Sequence, residues 1–238
     1  MRTFGLIGGT SWHSTIEYYR IINQSVNDYF ENNTNPPLII INQNQALIHE
    51  LQEKNKWDEI ASLFVKAAKT LEQGGANALM FCANTPHKIF EFVESEIQIP
   101  IIHIVDATSN EILKKGLKKV CFIGTRFSME EDFILKRFMK NGVEIIMPKH
   151  KANINELHRI IQKELTYGNI NSNSKKFVLD NIQSMIEDGA EGVVLGCTEF
   201  PLMIDNNDLS IPIFNTTKIH AKAASDYILM TKKHLNGQ

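Results

Sequence analysis

The sequence predicts an α/β protein made of two pseudo-symmetric lobes, each with a parallel four-stranded sheet flanked by helices. Short apolar runs alternate with longer amphipathic stretches throughout the 238 residues, which is typical of βαβ units. The second half also repeats the first, because the stretch Gly75–Thr85 matches Gly189–Glu199 at a shift of 114 residues. Two further pairs keep the same order at nearly the same shift, namely Ile7-Gly8 with Ile123-Gly124 and Ile99-Pro100 with Ile211-Pro212.

Each half contains four predicted strands. In the first half they lie near 3–8, 37–42, 77–82 and 100–104, and in the second near 118–124, 143–147, 191–196 and 211–214. No linker rich in Pro, Gly or Ser separates the halves. We therefore expect an N-terminal lobe at 1–105, to which a last helix at about 215–238 crosses back, and a C-terminal lobe at 106–214.

Helix starts are marked between the strands. Ser14 and Ser128 each begin a capping-box pattern, and Asn153 begins its asparagine variant. Pro86 suits the first turn of a helix that follows Asn84 and Thr85.

Composition and charge exclude several classes of function. The 25 Lys and Arg residues nearly balance the 27 Asp and Glu residues, so no overall field favours nucleic acid or an anionic membrane. No apolar run approaches the length of about 20 residues that crosses a bilayer. Three widely spaced cysteines without a CxxC pair suit a reducing compartment. With no signal-peptide pattern before the first strand, we expect a cytoplasmic protein.

Motifs for cofactors, for metals and for a serine nucleophile are missing from the sequence. There is no GxGxxG, no P-loop, no HExxH and no GxSxG pattern. We therefore expect neither a cofactor nor a metal.

Polar turns follow most of the predicted strands, and ligands of open α/β sheets bind beyond the carboxyl ends of strands. These turns are 8–11, 42–44, 83–85, 124–126 and 197–199, and they are rich in Gly, Thr and Asn. Backbone N–H groups at helix starts form sites for anionic groups. We expect one active site in the cleft between the lobes, with a small substrate that carries one or more carboxylates.

Cys197 is the candidate catalytic residue. It follows a strand and is predicted to lie next to a helix start, where amide dipoles would stabilise a thiolate that acts as a nucleophile or a general base. The alternative is a buried packing cysteine. The neighbouring Gly196, Thr198 and Glu199 are poor core residues, which favours a functional role.

Over essentially its whole length the chain resembles the cofactor-independent aspartate/glutamate racemase family. The resemblance is carried by residues 5–12, 14–15, 18–19, 84–88, 124–126, 195–199 and 219–221. It implies a two-lobed α/β protein, often a homodimer, that inverts the α-carbon of a small dicarboxylic amino acid between two acid/base residues, commonly cysteines. The second-lobe cysteine corresponds to Cys197.

The resemblance places the first-lobe acid/base at Ala83, the residue that the internal repeat also pairs with Cys197. Alanine has no proton to give. A bound water in the space left by Ala83 is the simplest substitute, since Cys82 and Cys121 are predicted to pack in the core. His87, one helical turn beyond Asn84, either holds a water or a carboxylate or satisfies the helix end.

The same resemblance implies the substrate-binding residues. One carboxylate would be received by Thr10 and the backbone of Asn84 and Thr85, and another by Thr198 with its neighbouring amides. Four further positions complete the predicted site, namely Gln52, Thr125, Lys163 and Glu199. The alternative for Gln52 and Lys163 is that each is an exposed helix residue outside the site. Glu199 either orients the thiol or caps the next helix.

Two other functions stay open. One is a single-cysteine decarboxylase or isomerase of malonate-type acids from the same superfamily, which Ala83 favours. The other is a carboxylate-binding relative without turnover.

Overall fold

The computed structural model describes residues 1–230. It contains two parallel β-sheets flanked by helices, which confirms the predicted α/β class. The chain divides into two compact units. The first consists of Met1–His103 with the described chain from His220 onward, and the second is Ile104–Ile219. The helix predicted at about 215–238 includes residues 231–238, which lie outside the described residues.

The first unit is built on a sheet of strand order β2-β1-β3. Its strands are β1 (Phe4–Gly8), β2 (Leu38–Asn42) and β3 (Ala78–Phe81). Its helices are α1 (Trp12–Phe30), α2 (Gln45–Glu53), α3 (Trp57–Gln73) and α4 (Phe90–Glu94), and α10 (Thr216–Leu229) enters it from the second unit. A 3-10 turn, Thr85–Ile89, follows β3.

Side chains of β1 and β3 alternate between two cores. Ile7, Leu79 and Phe81 lie in the same cluster as the buried face of α3. Phe4 and Leu6 lie in a second cluster with residues of α1 and α10. Both faces of this sheet are covered, which explains the unbroken apolar sequence of its central strands.

The second unit is built on a sheet of strand order β5-β4-β6-β7. Its strands are β4 (Lys119–Gly124), β5 (Glu144–Ile146), β6 (Val193–Gly196) and β7 (Ile213–Asn215). Its helices are α5 (Ile104–Lys114), α6 (Arg126–Glu130), α7 (Asp132–Lys140), α8 (Lys151–Lys163) and α9 (Ser172–Glu187). Two 3-10 turns, Leu165–Tyr167 and Phe200–Leu202, complete the unit.

The two sheets share one strand order, which agrees with the repeat in the sequence. Only the strand predicted at 100–104 differs, because it is reduced to a single parallel bridge between Ile101 and Leu79. Pro100 does not explain the loss, because Pro212 stands at the equivalent place before β7 and its carbonyl accepts from the Val193 N–H just as that of Pro100 accepts from the Leu79 N–H. The first sheet therefore has three strands where four were predicted.

Three helices begin one turn before their predicted caps. The capping residues are Ser11, Thr125 and His150, each three positions before the predicted Ser14, Ser128 and Asn153. The Ser11 and Thr125 side chains accept from the backbone N–H of Ser14 and Ser128. The capping-box prediction was wrong because an earlier polar residue takes the cap and leaves the predicted one inside the first turn.

Among the helices of the described chain, none is both long and apolar enough to cross a membrane.

Candidate active site

The first polar turn follows β1. Gly9 has φ of 84°, and a Cβ there would collide with the backbone of Gln43, so the turn requires glycine. The Gly9 N–H donates to Thr15 Oγ1 at 2.9 Å. His49 Nε2 donates to the Thr10 carbonyl oxygen at 3.1 Å, which ties α2 to this turn. Thr10 itself is buried.

Gln52 lies one helical turn beyond His49 and is only 8% exposed. Its Nε2 is buried and has no hydrogen-bond partner within the described chain. The structure therefore excludes the exposed helix residue that the sequence allowed as an alternative. A buried donor of this kind is a candidate to bind an acceptor on a ligand.

The turn after β3 carries Ala83, Asn84 and Thr85. Asn84 and Thr85 are buried and Ala83 is half-buried. His87 Nδ1 lies 3.0 Å from the Ala83 carbonyl oxygen and 3.2 Å from that of Asn84. Carbonyls only accept, so Nδ1 carries a proton and the imidazole holds the turn. Of the two predicted roles for His87, these bonds correspond to the second, in which it satisfies the helix end.

His87 belongs to a buried group of aromatic side chains. Its ring centroid lies 4.4 Å from that of His103 and 5.8 Å from that of His220. His220 Nε2 donates to the Ile102 carbonyl at 2.8 Å, so its Nδ1 accepts from the Tyr18 hydroxyl at 2.9 Å. Burial, and then the neighbouring His103 and His220, hold the pKa of His87 well below its ordinary value. His87 is therefore neutral near pH 7.

Acid is expected to destabilise the protein through His87. The unfolded chain binds a proton at this histidine below about pH 6.5 and the folded chain does not, so stability falls as the pH drops. For one such group the free energy of unfolding changes by up to about 1.4 kcal/mol per pH unit. Urea unfolding between pH 7.5 and 5 measures it. A His87→Asn variant should be less stable overall but show a flatter pH dependence.

The exposed His13 provides the matched histidine-to-asparagine control, and His13→Asn is unfolded in urea over the same pH range. Equal slopes for the His87 variant and the unmodified protein would contradict the assignment.

In the second unit, Cys197 directly follows the last residue of β6 and is 9% exposed. Its thiol donates to Glu199 Oε2 at 2.8 Å, and the Thr198 hydroxyl donates to the same oxygen at 2.8 Å. Glu199 is buried, so a carboxylate, a thiol and a hydroxyl meet in a site largely removed from water.

Gly196, the last residue of β6 before Cys197, allows β6 to pack closely against β4. A Cβ on Gly196 would overlap the ring of the fully buried Phe122, which lies on β4. The backbone position from which Cys197 projects is therefore set by close packing as well as by the strand ladder.

The Cys197 thiol is protonated at rest. Burial raises its pKa well above the ordinary value, and the charge and hydrogen bond of Glu199 raise the pKa further. The backbone N–H groups of Thr198 and Glu199 lower it, but by less. The sequence predicted that nearby amide dipoles stabilise a thiolate at this position; the backbone N–H groups do lower the pKa, but burial and Glu199 raise it by more, and the next element is the 3-10 turn Phe200–Leu202.

The other predicted groups of this unit lie on neighbouring elements. Thr125 caps α6 directly after β4, and its Oγ1 lies 3.1 Å from Ser128 Oγ. The Arg126 N–H donates to His158 Nδ1 at 3.4 Å, which brings α8 to this turn. Lys163 is exposed in the last turn of α8.

The other two thiols belong to the cores. Cys82 packs among residues of β1, α1 and α10, and Cys121 lies on β4 among the core of the second unit. Burial raises the pKa of Cys121 to about 12 and raises that of Cys82 as well. These positions confirm that neither supplies an exposed substitute for Ala83.

The structure groups the predicted residues by sheet edge. Thr10 and Ala83–Thr85 follow parallel strands of the first unit, Gln52 lies on α2, and Thr125 and Cys197–Glu199 follow parallel strands of the second unit. His49 was not predicted as a site residue, although its spacing of three from Gln52 was an available signal. Thr217, two residues beyond β7, was not predicted either, and its hydroxyl is buried and unpartnered in the part of the chain that is described.

No group of three or more His, Cys, Asp or Glu side chains among residues 1–230 is arranged to hold a metal ion.

Comparison with known proteins gives consistent matches. The model of the Asp/Glu/hydantoin racemase family matches residues 7–224. The crystal structure of a candidate Asp/Glu racemase from Yersinia pestis is 38% identical, over 97% of this chain and 100% of that one, with a TM-score of 0.91. An aspartate racemase homologue from Pyrococcus horikoshii OT3 is 36% identical over the same shares, with a TM-score of 0.85. The broad specificity amino-acid racemase RacX of Bacillus subtilis (strain 168) is 24% identical over 70% of this chain and 71% of RacX.

Proposed function

Because the chain belongs to the Asp/Glu/hydantoin racemase family, we propose that it racemises aspartate or glutamate without a cofactor, with Cys197 as the acid/base. Its similarity to an aspartate racemase homologue and to RacX supports amino-acid substrates. The observation that carries the assignment of Cys197 is its hydrogen bond to the buried Glu199 carboxylate. The proposal includes a homodimer and a cytoplasmic location, as expected from the sequence.

Cys197 and Glu199 provide a proton relay. When Cys197 acts as a base, its proton moves to Glu199, and the thiolate then takes the α-proton of the substrate. In the reverse direction the neutral thiol gives its proton to the carbanion and recovers one from Glu199. The raised pKa keeps the thiol protonated before the acid step and makes the thiolate a stronger base once Glu199 has taken its proton.

The α-proton of an amino acid is very weakly acidic, so hydrogen-bond donors must stabilise the carbanion through its carboxylate. We assign this work to the predicted ligands Thr10, Asn84, Thr85, Thr125 and Thr198, with Lys163 as an additional cation. Gln52 strengthens the assignment, since its buried Nε2 has no partner in the described chain and would gain one from a carboxylate oxygen.

Ala83 makes the proposed chemistry asymmetric. A methyl group neither takes nor gives a proton, so one face of the substrate is served by a thiol and the other by water. Proton exchange on the Cys197 face should therefore be faster than inversion.

The experiment that tests the function follows L- and D-aspartate and L- and D-glutamate in D₂O. Deuterium is expected to enter the α-position of at least one of them, as seen by NMR, and optical rotation reports inversion. Exhaustive dialysis against a chelator should not reduce this activity, and neither pyridoxal phosphate nor a divalent metal should increase it.

Ala83 favours one rival, a single-cysteine decarboxylase of malonate-type acids, in which one thiol protonates one face of an enediolate. Release of CO₂ from malonates, without α-proton exchange on amino acids, would replace the racemase proposal by this one. Binding of amino acids without any deuterium uptake would instead indicate a carboxylate-binding protein.

A further inference from the structure

Thr217 carries a buried hydroxyl that the described chain leaves unsatisfied. The residue is 4% exposed, and its Oγ1 has no hydrogen-bond partner within residues 1–230. Other buried threonines of the same unit behave differently, since Thr108 Oγ1 donates to the Ile104 carbonyl and Thr216 Oγ1 to that of Leu195, each at 2.8 Å. Buried polar groups are almost always paired, so an unpaired one indicates an absent partner.

The register of the sheet places Thr217 beside the Cys197 strand end. Strand β7 pairs in parallel with β6, and Leu195 lies opposite Asn215. Cys197 and Thr217 are each two residues beyond this pair. The bond from Thr216 Oγ1 to the Leu195 carbonyl holds the start of α10 against β6, so Thr217 stays at the same edge.

Thr217 also lies in the first turn of α10. The amino end of this helix is at the same edge of the sheet. α10 has 14 residues, and Asn215 Oδ1 accepts from the Lys218 N–H at 3.0 Å, which makes Asn215 its capping residue. The amino end of a helix favours an anion through its N–H groups and its dipole. The chemistry offered at this point is a hydroxyl donor in a positive local field.

We propose that Thr217 is a further substrate-binding residue of the Cys197 site, whose hydroxyl donates to a carboxylate of the substrate. This inference rests on the proposed function. Thr217 follows β7, the strand next to β6 and Cys197. It joins the ligands expected at the other strand ends.

The test compares Thr217→Val, which removes the hydroxyl at nearly constant shape, with Thr217→Ser, which keeps it. Calorimetry measures the affinity for L-aspartate and for succinate, which has both carboxylates but no amino group. Thr217→Val should weaken both on the order of 10- to 100-fold, as expected for a hydrogen bond to a charged group. It should raise KM correspondingly, while Thr217→Ser stays within a few-fold of the unmodified protein.

Thermal unfolding separates this role from a structural one. Thr217→Val should melt at the same temperature as the unmodified protein or higher, because it removes an unsatisfied polar group. The matched control Thr216→Val should melt lower, because it leaves the buried Leu195 carbonyl without the Thr216 hydroxyl.

Three results would overturn the inference. If Thr217→Val binds both probes as tightly as the unmodified protein, Thr217 is not a ligand, and the racemase proposal stands without it. If only L-aspartate binding weakens, the hydroxyl contacts the amino group and the carboxylate assignment is wrong. If the unmodified protein neither binds nor exchanges any acidic amino acid, the proposed function fails and the inference fails with it.

Discussion

Replacing Cys197 with alanine is expected to abolish α-proton exchange on every acidic amino acid, a loss of at least about 10²- to 10⁴-fold. In the proposed mechanism the thiol exchanges the proton on its face of the substrate, and Glu199, to which the thiol donates a hydrogen bond, is its partner. The fold should change little, because the substitution removes one atom at a strand end and the Thr198 hydroxyl still donates to Glu199. Deuterium uptake by NMR, with thermal unfolding alongside, measures both effects.

Cys121→Ala is the matched control, since it removes a thiol from the neighbouring strand β4 in the core of the same unit. It should reduce stability while leaving the exchange rate unchanged. Exchange by the Cys197 variant at the rate of the unmodified protein would show that another group takes the α-proton.

Installing a proton carrier at position 83 is expected to increase the rate of inversion. A positioned general acid is typically worth about 10²- to 10⁴-fold, so Ala83→Cys or Ala83→Thr should recover a sizeable part of that factor. In the unmodified chain, deuterium should enter one enantiomer faster than the centre inverts. Deuteration and optical rotation, followed together in D₂O from each enantiomer, give the ratio of the two rates.

Ala83→Val is the control for size, because valine has nearly the shape of threonine but no proton to give. It should not speed inversion. If inversion already keeps pace with exchange in the unmodified chain, and neither Ala83→Cys nor Ala83→Thr speeds it, then a held water or another group serves the second face efficiently.

Hydrophobic alternation and the internal repeat were sufficient to predict the sheets. The two sheets follow one order, as the repeat required, and seven of the eight predicted strands are present. The strand at 100–104 is reduced to the bridge between Ile101 and Leu79, and the sequence could not show this, because Ile99-Pro100 matches Ile211-Pro212, which precedes the intact β7. Helix starts were displaced by one turn because Ser11 and Thr125 could cap as well as the residues chosen.

The protonation of the thiol was harder to predict than the candidate residues themselves. Pattern and resemblance proposed Cys197 and Gln52, with Glu199 as a residue that orients the thiol, but the raised pKa of the thiol depends first on burial, which the sequence does not show. Thr217 was missed for a similar reason. Its sequence neighbours form no recognisable motif, and Thr217 becomes a candidate ligand only through its unsatisfied hydroxyl in the folded chain.

The contact between Gly196 and Phe122 has a consequence for how this sequence can change. Because the Phe122 ring occupies the space of a Cβ at position 196, any larger residue there requires a smaller one at position 122 first. The two positions are therefore coupled, and we expect a larger residue at position 196 to be less harmful when position 122 carries a smaller side chain. The glycine before Cys197 thus makes room for a ring on the adjacent strand, and packing in the core restricts which residues can precede the thiol.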